Sequence, residues 1–158
     1  AVPGEGSPYA KVMIIGEAPG YNEDLQGRPF VGPAGQLLDE LLESIGIKRG
    51  GVFITNIVKC RPPNNRPPRV SERMACRPYL VRQMGLVRPK IVCPMGNTAL
   101  KALVGGLPIG ETHGKMIEKE GVAYLPLYHP AAALYDASLN SVLLMDFKAL
   151  GLLLGSEA

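Results

Sequence analysis

A parallel α/β sheet is the fold class this sequence predicts, and three observations carry the prediction. Short apolar runs rich in β-branched or aliphatic residues recur at Lys11–Gly16, Val52–Val58, Lys90–Pro94 and Val122–Tyr128. Helical patterns fill the connections between them, the alternation expected of βαβ units. Residues able to do chemistry stand at the carboxyl end of each run, where open α/β sheets bind their ligands. With 158 residues, 46% of them hydrophobic, the chain reads as one domain able to bury a core without disulfides.

The elements follow in order. After the first run comes a long rigid loop, Gly16 to Gly35, whose glycines (Gly20, Gly27, Gly32 and Gly35) and prolines (Pro19, Pro29 and Pro33) fix an irregular backbone. Connections this long in a compact domain are usually functional, and this one also carries Glu17, Glu23, Asp24 and Phe30. A helix starts near Ala34, because Leu37, Leu38, Leu41, Leu42 and Ile45 keep helical spacing and Gly46 supplies a stop. The second run leads into a proline-rich arm (Pro62, Pro63, Pro67, Pro68) and then a helix from about Ser71 to Met84 or beyond. The third leads into a helix from Gly96-Asn97 through Leu103, ending near Gly105-Gly106. Gly114 to Gly121 reads as a small hairpin before the last run, and Leu139 to Leu154 as an apolar closing helix.

Charge and cysteine usage narrow the class. Seventeen basic against fourteen acidic residues give a net charge of +3, which permits a polyanionic partner without demanding one. The basic residues crowd one stretch, Lys59, Arg61, Arg66, Arg69, Arg73, Arg77 and Arg82, either a phosphate-contacting surface or a solvated helix face. No run is long enough for a membrane span and the N-terminus has no secretory pattern, so no membrane association and a cytoplasmic location are expected. Three cysteines, Cys60, Cys76 and Cys93, make a disulfide framework improbable and leave metal ligation or burial.

The strand ends carry Gly16-Glu17-Ala18-Pro19-Gly20, then Asn56 with Lys59-Cys60-Arg61, then Pro94-Met95-Gly96-Asn97, and finally Tyr128-His129-Pro130 with Ala131 to Leu134. These should converge on one crevice. Neither a GxGxxG fingerprint nor a P-loop is present, which lowers the expectation of a nucleotide cofactor.

Taken together, G-E-A-P-G-x-x-E-D with G-R-P-F-V-G-x-A-G (Gly16–Gly35), I-T-N-I-V-K-C-R-P-P (Ile54–Pro63), Cys76 and H-P-A-A-A-L (His129–Leu134) resemble the uracil-DNA glycosylase superfamily, specifically its family 4. The resemblance spans nearly the whole chain. It implies a three-layer α/β/α sandwich around a central four-stranded parallel sheet, and a monofunctional DNA-repair enzyme that hydrolyses the N-glycosidic bond of uracil. The implied partner is uracil-containing single- and double-stranded DNA, met by a monomer associated with the nucleoid of a prokaryote.

The resemblance implies a role for each matching residue, which physical chemistry can check. Breaking the bond from C1′ to N1 leaves a uracil anion, and a neutral imidazole at His129 suits the charge developing on O2. Asn56 pairs with O4 and N3 and mismatches the exocyclic amine of cytosine. Phe30 stacks on the flipped base, beside Gly16 and Ala18. Ala18 stands where other branches of the superfamily place a water-positioning aspartate; Glu17 is then the nearest carboxylate for that task, with Glu23 as pocket residue and Glu23 or Asp24 as alternatives for the water. Loop stabilisation through backbone N–H groups is the competing role for these carboxylates. Pro130, Ala131 and Leu134 belong to the segment that fills the space left by the extruded base. Gly20, Gly32, Gly35, Gly96, Asn97, Lys59 and Arg61 contact the DNA backbone.

In family 4, Cys60 and Cys76 match ligands of a structural [4Fe–4S] cluster completed by an N-terminal C-x-x-C pair. The chain begins downstream of where such a pair would lie, so an incomplete ligand set, a fragment without the N-terminal helix and a loosely held arm are expected. Cys93, within a strand, is expected in the core. A broader-specificity glycosylase is a related alternative. A non-catalytic nucleic-acid-binding or iron–sulfur electron-transfer module is the alternative from another class, but it leaves Glu17, Asn56 and His129 unexplained.

Overall fold

Val12–Gly16, the run expected as the first strand, is buried along its whole length and lies near the middle of the sheet. In the computed structural model, which describes residues 1–155, this strand is β2; before it, Glu5–Gly6 forms a two-residue β1. The other strands are β3 (Phe53–Asn56), β4 (Ile91–Pro94), β5 (Ile117–Lys119) and β6 (Val122–Tyr124). They make one six-stranded sheet in the order β1-β3-β2-β4-β6-β5. The four expected strands pair in parallel as the alternation required, with Gly16 opposite Asn56 and Ile15 opposite Pro94.

The two additional strands are antiparallel edges. They escape a pattern reading because each is too short to show an apolar run. The hairpin falls one strand later than expected: β5 returns into β6 through Glu120 (φ 52) and Gly121 (φ 80), the left-handed pair a two-residue hairpin turn needs. Past β6 the chain stays extended around Pro126, and Leu125 and Leu127 donate to the carbonyls of Val92 and Pro94.

Helices α1 (Tyr21–Gln26), α2 (Pro33–Ser44), α3 (Val70–Val87), α4 (Asn97–Leu103), α5 (Ile109–Thr112), α6 (Pro130–Tyr135) and α7 (Leu139–Gly155) complete the chain. Side-chain alternation along β2 assigns the layers. Val12 and Ile14 face a core with Leu38 and Leu42 of α2 and Leu143, Phe147 and Leu150 of α7. Met13 and Ile15 face a second core with Leu80 of α3 and Ala99 of α4. The result is the three-layer α/β/α sandwich, with Cys93 in the first core as expected; burial pushes its thiol pKa up.

Two segments are more regular than expected. The Gly16–Gly35 connection contains the helix α1, begun at Gly20 and closed by Gly27 in the left-handed region. The Ala131–Leu134 segment is helical rather than a loop, because Pro130 at its first position presets the backbone. The proline-rich arm is also held: Arg66 forms a two-pronged pair with Glu72 (2.7 and 3.0 Å), which also accepts the N–H of Arg69 at the start of α3. No helix among the described residues is long and apolar enough to cross a membrane.

Candidate active site

The fold delivers seven of the expected residues to one place. Ala18, Gly20, Glu23, Phe30, Ala34, Gly35, Asn56 and His129 line a cavity of about 180 Å³ beyond the carboxyl ends of β2 and β3. Asn56 is the last residue of β3 and is buried. Its register partner Gly16 has no side chain for a physical reason: a Cβ there would lie 2.6 Å from Asn56 Oδ1 and 2.7 Å from Phe30 Cζ. Glycine therefore lets the amide and the aromatic ring approach each other. The Asn56 amide makes no side-chain hydrogen bond among the described residues and is open to a ligand.

His129 stands at the junction of the β6 extension and α6, and caps the helix. Its Nδ1 accepts the N–H of Ala131 at 3.0 Å, which assigns the proton of the neutral ring to Nε2. Although part of the ring keeps surface toward the cavity, burial pulls its pKa down to about 4, against a smaller opposing pull from the Glu23 carboxylate. At neutral pH His129 is an uncharged Nε2–H donor. Its ring stacks on Phe30, centroids 5.2 Å apart and planes inclined by 23°.

Glu23 lines the cavity but its carboxylate is committed to the backbone. Oε1 accepts from Gly20 N (3.0 Å), and Oε2 accepts from Val31 N (3.0 Å) and Gly32 N (3.2 Å). One side chain thus ties the start of α1 to the start of α2 and holds the walls between them. Loop stabilisation, the competing role for these carboxylates, is the one the structure displays for Glu23. Glu17 is half-buried at the end of β2 and is not part of the lining; its neighbour Ala18 is.

Several expected DNA contacts are used otherwise. Lys59 is turned inward and 6% exposed, which corrects its expected place on the DNA surface. Its ammonium donates to Thr55 Oγ1 (2.5 Å), the Asn56 carbonyl (2.8 Å) and Gln83 Oε1 (2.7 Å), and burial lowers its pKa to about 8. Lys59 therefore holds the end of β3 from beneath. The N–H groups of Gly20 and Gly32 go to Glu23 and that of Gly96 to the Leu127 carbonyl, so these glycines do not offer amides to phosphates. Gly35 lies against the Phe30 carbonyl, where a Cβ would come within 1.7 Å.

Asn97 accepts the N–H of Ile109 through Oδ1, fixing α5, and is itself exposed. Arg61 lies over the exposed ring of Tyr21, 5.2 Å from its centroid. Pro130 is buried and Ala131 half-buried, while Leu134 is 52% exposed. Arg73 and Arg77 line a separate apolar groove with Val70, Met74 and Leu80.

Sequence reasoning missed Ala34 in the lining, and also missed Arg49, which bonds to the Phe30 backbone from nineteen residues away. His113 pairs through Nδ1 with Asp146 (2.7 Å) and packs against Tyr128, the neighbour of His129.

Of the expected cluster ligands, Cys60 is exposed and Cys76 half-buried, its Sγ accepting the N–H of Lys59 at 3.4 Å. Among the described residues no group of three or more potential ligands occurs. Two thiols do not satisfy a cluster that takes four ligands.

The chain is thus an α/β protein whose sheet, parallel apart from its two edge strands, carries at its strand ends a small cavity with an uncharged imidazole donor and an amide. The family model described as the uracil DNA glycosylase superfamily matches residues 3–148, and the chain belongs to that superfamily. Its relatives include the type-4 uracil-DNA glycosylase of Sulfurisphaera tokodaii, 48% identical over 94% of this chain and 72% of that protein. The type-4 enzyme of Archaeoglobus fulgidus is 44% identical, covering 99% and 83% of the two chains. That of Thermotoga maritima is 41% identical, covering 93% and 79%.

Proposed function

We propose that the chain is a monofunctional glycosylase that removes uracil from DNA by hydrolysis and leaves an abasic site. The carrying observation is that an uncharged His129 with its proton on Nε2 shares one small cavity with the open Asn56 amide and the Phe30 ring. A base flipped out of DNA enters there and meets Phe30. Asn56 pairs with its O4 and N3, accepting from the imide and donating to the carbonyl, a pattern cytosine does not match. As the bond from C1′ to N1 lengthens, charge moves onto O2, and the His129 Nε2–H stabilises it without giving up its proton. A fixed donor of this kind contributes about 2.7–4 kcal/mol to the transition state.

Among the described residues no amine lines the cavity, which supports water as the nucleophile. We assign Glu17 to the sugar side, where its carboxylate, beside Ala18, orients that water and stabilises positive charge on the deoxyribose. Glu23 serves by fixing the walls. Leu134 fills the gap in the duplex, and Arg61 and Asn97 meet the flanking backbone. The same cavity accepts a base from single-stranded DNA, where no stacking need be broken, and the chain acts as a cytoplasmic monomer. Cys60 and Cys76 would supply two of the four ligands a structural iron–sulfur cluster takes; no chemical step depends on it.

The test is an end-labelled oligonucleotide bearing one deoxyuridine, incubated with the protein and cleaved with alkali. Scission at that position in both single- and double-stranded substrate is expected. Intact strands after incubation with folded protein reject the activity and leave a non-catalytic binding module.

A further inference from the structure

We propose that Arg49 is a positioning residue for the base-stacking ring: it holds Phe30 in a left-handed backbone conformation and so sets the distance from Phe30 to His129 and Asn56. The inference deepens the proposed function and, for its catalytic consequence, rests on it. Phe30 has φ 50, a conformation bulky residues rarely adopt, so its surroundings must impose it. The surroundings are on view. Arg49 Nη1 donates to the Phe30 carbonyl at 2.8 Å, and Nη2 donates to the Pro29 carbonyl. The same guanidinium is held by Glu5 Oε1 (2.9 Å) and Asp39 Oδ1 (3.1 Å).

Arg49 therefore joins β1, α2 and the loop that carries the ring. It also opens the turn Arg49–Gly51, which leads directly into β3 and its terminal Asn56. The ring and the amide are thus referred to one planar group. Glycine at positions 16 and 35 removes the side chains that would displace Phe30 from its ring side and its carbonyl side. A fork of five donors can serve two carbonyls and two carboxylates together; a lysine ammonium, a point charge with three donors, cannot reproduce it.

The decisive readout does not require catalysis. Because Phe30 stacks on His129, the ring current of Phe30 shifts the His129 imidazole protons, and NMR reports that shift in wild-type protein, Phe30→Ala, Arg49→Lys and Arg49→Gln. In the Arg49 variants the His129 resonances are expected to move toward their Phe30→Ala positions while the fold is retained. Unchanged His129 resonances in a folded Arg49 variant overturn the proposal. So does loss of the fold in both variants, since Arg49 would then serve the fold rather than the ring.

Excision kinetics supply the second arm. Arg49→Lys is expected to lower kcat on a deoxyuridine oligonucleotide about tenfold or more through misplacement of the base. Affinity for the same oligonucleotide with a tetrahydrofuran abasic analogue should stay unchanged. In a Phe30→Ala background the lysine substitution should change kcat by less than about twofold, the non-additivity expected of residues acting through one contact. Independent, multiplying losses overturn the proposal. If wild-type protein does not excise uracil, the functional reading fails, and the NMR shifts still decide the role of Arg49.

Discussion

The cavity and the arm from Cys60 to Cys76 both follow the end of β3, yet they are held in different ways. Around the cavity each wall is fixed by buried or half-buried groups: Glu23 accepts three backbone N–H groups, and Lys59 props the Asn56 carbonyl. The arm is held by the Arg66–Glu72 pair, whose side chains are about a third exposed. That pair pulls the Glu72 carboxyl down to about 2, mainly through the Arg66 hydrogen bond and then the Arg69 N–H, but exposed ion pairs add little to stability. The difference teaches that the chemistry is preorganised by the sheet and its loops, whereas the two cysteines belong to a peripheral attachment.

The sharpest way to break this comparison is His129→Ala. Loss of one preorganised donor is expected to lower kcat by about 10²–10³ with binding to abasic DNA retained, measured in single-turnover excision assays. Turnover at the wild-type rate would show that the cavity is not the reaction site. The pH dependence of the wild type tests the same group. Since its folded pKa of about 4 lies below the ordinary value of 6.5, His129 remains an uncharged donor between those values, and its contribution to rate is flat until pH approaches 4. The unfolded chain binds the additional proton over that window. Stability is therefore fully present above about 6.5 and declines as pH falls toward 4, which denaturant titrations at stepped pH would detect.

A middle-sized effect is expected from Glu23→Gln. The amide keeps one acceptor oxygen where the carboxylate used two, so at least one backbone N–H loses its partner, at about 2 kcal/mol by thermal or chemical denaturation. Wild-type stability would show that the walls are held by something else. The smallest effect belongs to the arm: Cys60→Ser, at an exposed thiol, should change excision by no more than about twofold, within the ±0.5 kcal/mol usual at exposed positions. A larger loss of rate would show that the arm is coupled to the cavity.

The parallel strands and the larger helices were legible because their apolar periods match the layers they enter. His129 and Asn56 were legible as cavity-lining positions, since each stands in a motif after a strand, and Phe30 was legible from the glycine- and proline-rich motif that leads into α2. Lys59 was misread because a lysine in a basic, proline-rich stretch looks solvated, and only the fold shows three oxygens converging beneath it. Glu23 was ambiguous for the opposite reason: a loop carboxylate beside glycines suits either substrate or backbone, and hydrogen-bond geometry decides. Arg49 could not be found by local pattern, as its partners lie at positions 5, 29, 30 and 39 and are brought together by tertiary packing alone.

The alternation along β2 has a consequence for the lifetime of the site. Val12 and Ile14 belong to one core and Met13 and Ile15 to the other, so a strand of five residues is the seam between both halves of the interior. Opening that seam exposes both cores in one event and demands a cost close to that of global unfolding. Gly16, at the end of the seam, inherits this protection. The floor beneath Phe30 and Asn56 therefore lasts as long as the native state itself, whereas α1, which buries no residue, is the part of the rim with least to hold it.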